Sequence, residues 1–263
     1  MIGVFDSGLG GLSVLDALVA ALPNADFIYF ADSANSPYGN KSEAFIQSRV
    51  LAIGDYLADS GCTMIVVACN TATVAAIQAL RSRHTSIAIV GVEPGIKPAA
   101  LSSVSRKIAV LATEATAKSD RLAHLITAHA QAVSVDIVAC PGWATLVEQC
   151  DLNDSSLTKD AAARLLPLLE SGVDRIVLGC THYSFLTHIL QPIIDTSDNN
   201  ATLVDVSEAI ARQAVRLHQD NGRGGGSIRL LTTDQPKRLI DALPLLGLDA
   251  LATRVHSVER VAV

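Results

Sequence analysis

Two stretches of this sequence place a cysteine where a thiol could do chemistry. Residues 64–72 read MIVVACNTA and residues 175–183 read RIVLGCTHY. Each runs from an apolar strand through a small residue to a cysteine, then two hydrogen-bonding residues and a helix start. Cys180 follows Cys69 by 111 residues. Free backbone N–H groups and the helix dipole at such a junction favour a thiolate, lowering the pKa from about 8.5. Asn70, Thr71, Thr181 and His182 add short polar groups. His182, two residues past Cys180, reads as a proton-transfer or thiol-polarising group. Either cysteine alone is as well explained as a core thiol. The matched pair puts two thiols at the carboxyl ends of sheets, where open α/β folds bind ligands. Cys62, Cys140 and Cys150 lack that paired context, with Cys140 the nearest rival because it also follows a strand.

Further candidates sit at other strand ends. Asp6-Ser7-Gly8-Leu9-Gly10-Gly11 presents a carboxylate, a hydroxyl and free N–H groups suited to a substrate carboxylate. The spacing fails as a dinucleotide fingerprint because Ser13 stands where the third glycine belongs. Asp6 read alone is a helix N-cap. Asp32 ends a second run, and Pro37-Tyr38-Gly39 forms a rigid turn that places a phenol at the pocket edge. Thr113 and Thr116 end a third, either as hydroxyl donors or as helix caps. Glu148 lies on a helix after Cys140, where spacing alone makes it a solvated carboxylate. No C-x-x-C or H-E-x-x-H is present, so no metal is expected.

The elements that position these groups follow from the apolar pattern. Nine β-branched runs, at 2–5, 27–31, 64–68, 87–92, 108–112, 135–139, 175–179, 201–206 and 227–231, alternate with helical spacing such as 12–22 and 120–131. Fully apolar runs of this kind are parallel strands covered on both faces. Nine strands exceed one small sheet. The expectation is an α/β fold of two pseudo-symmetric three-layer lobes with mostly parallel sheets and the active site between them. The first lobe takes residues 1–92 and 207–263, and the second takes 93–206. Asn221–Gly226 reads as a turn.

The chain has 263 residues, 49% of them hydrophobic and 17% charged, with net charge −6. It is long enough for a substantial core, and an acidic balance argues against nucleic acid as a partner. Five cysteines fit a reducing, cytoplasmic setting. The opening MIGVFDSGLGG lacks the basic and apolar regions of a signal peptide. Residues 60–80 carry no charge, but Asn70, Thr71, Thr73 and Gln78 make a strand, turn and helix a better reading than a membrane span.

Taken in order, Asp6-Ser7 with its glycines, Pro37-Tyr38-Gly39, Cys69-Asn70-Thr71-Ala72, GVEPGIKPA at 91–99, Thr113-x-x-Thr116 and Gly179-Cys180-Thr181-His182-Tyr183 resemble the glutamate racemases. The match runs from residue 2 to about 208. The resemblance implies a cofactor-independent interconversion of L- and D-glutamate that supplies peptidoglycan synthesis, no membrane association, and a homodimer. Carried over, Cys69 takes the α-proton from D-glutamate and Cys180 from L-glutamate. Asp6 assists the first thiol and His182 the second, with Asp32 and Glu148 as further acidic catalytic positions. Substrate contacts fall to Asp6, Ser7, Pro37, Tyr38, Gly39, Asn70, Thr71, Thr113, Thr116, Thr181 and His182. Ser184 departs from the family, which usually has Pro there.

Three alternatives compete with this resemblance. Aspartate racemases of the superfamily carry C-N-T-A-H and G-C-T-E; Thr73 and His182 here favour glutamate. A pyridoxal-phosphate racemase needs a Schiff-base lysine, and none of Lys41, Lys97, Lys107, Lys118, Lys159 and Lys237 has a convincing context. A two-lobed amino-acid binding module is disfavoured by the twin cysteines.

Overall fold

The computed structural model describes residues 1–198, 200–218 and 224–263. Part of the expected turn at 221–226 therefore lies outside the described residues. Among the described residues ten strands are present: β1 Ile2–Asp6, β2 Phe27–Ala31, β3 Met64–Val67, β4 Ala88–Gly91, β5 Lys107–Ala112, β6 Ser134–Ala139, β7 Arg175–Leu178, β8 Thr202–Val204, β9 Ile228–Thr232 and β10 Val255–Arg260. They form a six-stranded sheet ordered β10-β9-β2-β1-β3-β4 and a four-stranded sheet ordered β6-β5-β7-β8. Every pairing is parallel.

The nine expected runs all form strands, and β10 is an addition. Its sequence, VHSVER, has no apolar run, because an edge strand with exposed residues needs none. The helical spacing at 12–22 and 120–131 forms helices Leu12–Ala21 and Asp120–His129. The uncharged stretch becomes β3 followed by helix Asn70–Arg83. Among the described residues no helix is long and apolar enough to cross a membrane.

Alternation along each strand builds the core. In β1, Ile2 and Val4 pack with Leu12, Leu15 and Leu18, while Phe5 faces Ile53 and Leu57 on the opposite side of the sheet. In the second sheet Ala109, Leu111, Ile176 and Leu178 join the same apolar cluster as Val4 and Leu12. Ile108, Val110 and Val177 pack outward with Ile96 and Leu122. One continuous core thus runs between the sheets. Because the strands are parallel, each sheet gathers its carboxyl ends along one edge, and the candidate residues follow those ends.

Candidate active site

Cys69 follows β3 and caps helix Asn70–Arg83. Its Sγ accepts from the Ala72 N–H at 3.4 Å, and its thiol donates to Ser7 Oγ at 3.7 Å. Cys180 follows β7 and precedes a 3₁₀ helix, Thr181–Leu186, in place of the α-helix read from the sequence. Its Sγ lies 3.6 Å from His182 Nδ1. The two thiols, 6% and 7% exposed, are close enough for charge on Cys180 to be felt at Cys69. Ser184 sits in the 3₁₀ helix, and its hydroxyl donates to Asp205.

Asp6 joins the two sheets. Oδ1 accepts from the Gly8 N–H at 2.8 Å, and Oδ2 accepts from Thr181 Oγ1 at 3.3 Å. Helix Leu12–Ala21 begins after Gly11 with no side-chain cap, so the N-cap alternative for Asp6 does not hold. Burial pushes the Asp6 carboxyl up, opposed by the nearby His182 ring and the Gly8 N–H. Tyr29, from β2, donates to the Gly8 carbonyl at 2.6 Å and so fixes the same turn.

Glu148 is the last residue of helix Trp143–Glu148 and is not a solvated carboxylate. Its Oε1 lies 2.6 Å from His182 Nε2 and accepts from the Leu9 N–H at 2.7 Å. Burial opposes its charge, but His182 and the Leu9 N–H hold the carboxyl below its ordinary value. Burial also opposes the charged His182 ring; hydrogen bonds to Cys180 and Glu148 nonetheless raise its pKa well above the usual value. The carboxylate, ring and Cys180 sulfur form a linked row. Gly8 and Gly10 leave room for it: a Cβ on Gly8 would strike the Glu148 carboxylate, and one on Gly10 the His182 ring.

A hydroxyl cluster closes another side. Thr71 Oγ1 lies 3.2 Å from Thr113 Oγ1 and 3.3 Å from Thr116 Oγ1. Thr113 both caps its short helix, accepting from the Thr116 N–H at 3.2 Å, and faces Thr71 across the two sheets. Thr113 thus meets the capping reading, and its hydroxyl also belongs to the cluster. Asn70 is 2% exposed, and its Oδ1 and Nδ2 have no hydrogen-bond partner among the described residues. A buried amide without partners costs free energy unless a ligand completes it.

Two further expectations need correction. The Tyr38 phenol is not at a pocket edge: it is 1% exposed and donates to Asp32 Oδ2 at 2.6 Å. Pro37 and Gly39 of the same turn line a cavity of about 230 Å³ with Thr113 and Cys140, but not with Cys69 or Cys180. The second correction concerns Cys69. Burial pushes its thiol well up, and the adjacent Asp6 adds to this, so the helix N-terminus does not make a resting thiolate there. Desolvation outweighs one N–H contact when no cation stands beside the sulfur. Cys140, the rival thiol, is also raised by burial, to about 12.

Asp6, Glu148 and His182 bring ligand-type atoms within 4.8 Å of one another, as a metal site would. The direct His182–Glu148 pair and the N–H donors on both carboxylates account for that spacing. Sequence reasoning missed Tyr29, which looks like one more strand residue, and the reason for Gly8 and Gly10, which is the approach of side chains from more than 130 positions away.

Comparison with known proteins bears directly on this arrangement. Residues 2–214 match the family described as Asp/Glu/Hydantoin racemase. A glutamate racemase from Herpetosiphon aurantiacus is 45% identical over 241 residues, 89% of this chain and 93% of the relative. The chain belongs to the glutamate racemase family. It is accordingly an isomerase, with the α/β fold expected for that family. The crystal structure of Escherichia coli glutamate racemase, in complex with L-glutamate and the activator UDP-MurNAc-ala, superposes with a TM-score of 0.85 at 31% identity. The match covers 99% of this chain and 97% of that one. A Francisella tularensis glutamate racemase in complex with D-glutamate matches at TM-score 0.82 and 27% identity, over 99% and 97% of the two chains.

Proposed function

We propose that this isomerase interconverts L- and D-glutamate by proton transfer between two thiols, with no cofactor. The observation that carries the proposal is the pairing of Cys69 and Cys180 from two different sheets, each with its own partners. Racemisation requires a base on one face of the α-carbon and an acid on the other. With L-glutamate, Cys180 takes the α-proton as the C–H electron pair moves toward the carboxylate, and the Cys69 thiol delivers its proton to the opposite face. With D-glutamate the roles exchange. The protonated resting state favoured by burial at Cys69 suits the first direction. Asp6 and Ser7 attend Cys69; His182, backed by Glu148, attends Cys180 and holds the proton balance there.

An α-proton is far less acidic than a thiol, so developing charge must be met by fixed donors in a dry cleft. The unpartnered Asn70 amide and the hydroxyls of Ser7, Thr71, Thr113, Thr116 and Thr181 supply them, whereas the Gly8 and Leu9 N–H groups are taken by Asp6 and Glu148. These donors are neutral, which is how an acidic chain holds a dicarboxylate. Lobes 1–92 with 207–263 and 93–206 close over the ligand to exclude water. The physiological reading is cytoplasmic supply of D-glutamate for peptidoglycan, by a homodimer. Incubating purified protein with each enantiomer of glutamate and of aspartate, without cofactor, and separating products by chiral chromatography tests the substrate. Interconversion of glutamate supports the proposal; turnover of aspartate alone overturns it.

A further inference from the structure

Asp32 is expected from the sequence as an acidic catalytic position, yet its carboxylate is fully occupied. Arg49 Nε donates to Oδ2 and Nη2 to Oδ1, each at 2.9 Å. Tyr38 donates to Oδ2 at 2.6 Å, and Asn35 and Thr233 donate to Oδ1 at 3.0 and 2.9 Å. Five donors on two oxygens exceed the usual four lone-pair sites, so none is left for a substrate. The Asp32 side chain is 0% exposed and that of Arg49 15%. Burial opposes the Asp32 charge, but Arg49, Tyr38 and Asn35 hold the carboxyl below its ordinary value. A buried carboxylate in this state serves as an anchor and not as a proton carrier.

We propose that Arg49, on helix Glu43–Asp59, is a positioning residue for substrate binding, acting through Asp32 and Tyr38 on the Pro37–Gly39 turn. The path is continuous. Arg49 forks onto Asp32; Asp32 takes the Tyr38 hydroxyl; Tyr38 begins the 3₁₀ turn Tyr38–Asn40. Gly39 in that turn packs so closely on Thr113 that an added Cβ would lie 3.1 Å from the Thr113 Cβ. Tyr38 in turn packs beside Phe5, with ring centroids 6.2 Å apart, next to Asp6 at the end of β1. The turn is thereby held against both the Asp6 strand and the threonine cluster. Lysine cannot replace the fork, since a single ammonium reaches both oxygens poorly. Arg49 also donates to the Val263 carbonyl, so its removal has a second structural consequence that the test must separate.

The kinetic half of this proposal rests on the glutamate reading above; the structural half does not. Backbone hydrogen exchange of the substrate-free full chain, followed by mass spectrometry, reads the turn directly. In Arg49→Met, amides of residues 36–41 should exchange about tenfold faster than in the wild type, with β1 unchanged. In glutamate turnover, KM should rise about tenfold and kcat change less than about threefold. Arg49→Lys should fall between wild type and Met. In a Tyr38→Phe background Arg49→Met should add little, because the path is already cut. If Arg49→Met does not fold, Arg49→Lys carries the same comparison. Unchanged exchange at 36–41 overturns the proposal whatever the substrate, as do multiplicative effects of Arg49→Met and Tyr38→Phe, which would trace the loss to the Val263 contact. Wild-type protein inert toward glutamate would overturn the functional reading instead.

Discussion

Nε2 of His182 stands 2.6 Å from Oε1 of Glu148, and the other ring nitrogen faces Cys180 at 3.6 Å. The ring is thus wedged between a carboxylate and a sulfur. Its folded pKa is raised above the ordinary 6.5, and that of Glu148 is lowered below 4.5. The stabilising contribution of His182 is fully present below its unfolded value and is lost as pH rises through the folded one. That of Glu148 is present above its unfolded value and is lost as pH falls through the folded one. The pair therefore spans the whole neutral range. Imidazole NMR of histidine-labelled protein should show His182 charged at pH 7.5, with its titration moved downward in Glu148→Gln. A ring titrating near 6.5 in the wild type, unmoved by the substitution, would contradict this.

The glycines beside that row give a second expectation. Gly10→Ala drives a methyl into the His182 ring, and Gly8→Ala into the Glu148 carboxylate. Displacing catalytic groups by about an ångström costs on the order of a hundredfold in rate. Each variant should lose about that much kcat/KM while remaining folded by circular dichroism. Gly172→Ala, at a position of positive φ with open space around it, should instead lower stability and leave turnover intact.

The threonine cluster makes a milder prediction. Removing one buried hydroxyl from a ligand site costs about 1 kcal/mol, or roughly fivefold. Thr71→Val and Thr113→Val should each raise KM for glutamate by about that factor with little change in kcat. Fluorescence or calorimetric titration checks the affinity directly. An unchanged KM in both would remove the cluster from the substrate site.

Cys69 should also be chemically quiet. Its thiol is buried and raised by burial, whereas Cys150 is partly exposed and shifted upward as well. Brief iodoacetamide treatment at pH 7.5, mapped by mass spectrometry, should modify Cys150 ahead of Cys69. Preferential labelling of Cys69 would show a resting thiolate there.

Much of this arrangement is legible in the sequence. Apolar runs mark β1 to β9, most of them buried on both faces, although β6 and β8, the edges of the four-stranded sheet, hold no fully buried residue. The two cysteine junctions are visible because a strand end, a thiol and a helix start are all local. What stays hidden is long-range. β10 carries polar residues that an edge strand tolerates. Arg49 lies on a helix face between the buried Ile46 and Ile53, and nothing local announces that Asp32, seventeen positions earlier, needs its charge. Tyr38 reads as a site phenol from its turn and is instead consumed by Asp32. Glu148 gains its place only through packing of the second sheet's helix against the first turn.

The central claim is that two thiols act on opposite faces of one α-carbon. The direct test is turnover of each glutamate enantiomer in D₂O by wild type, Cys69→Ala and Cys180→Ala, with chiral separation and mass spectrometry of product and residual substrate. The account predicts that wild-type product carries one α-deuterium from the first turnovers in both directions, and that neither variant interconverts the enantiomers. Full interconversion by either variant, or product that retains the substrate's own α-proton, would contradict it.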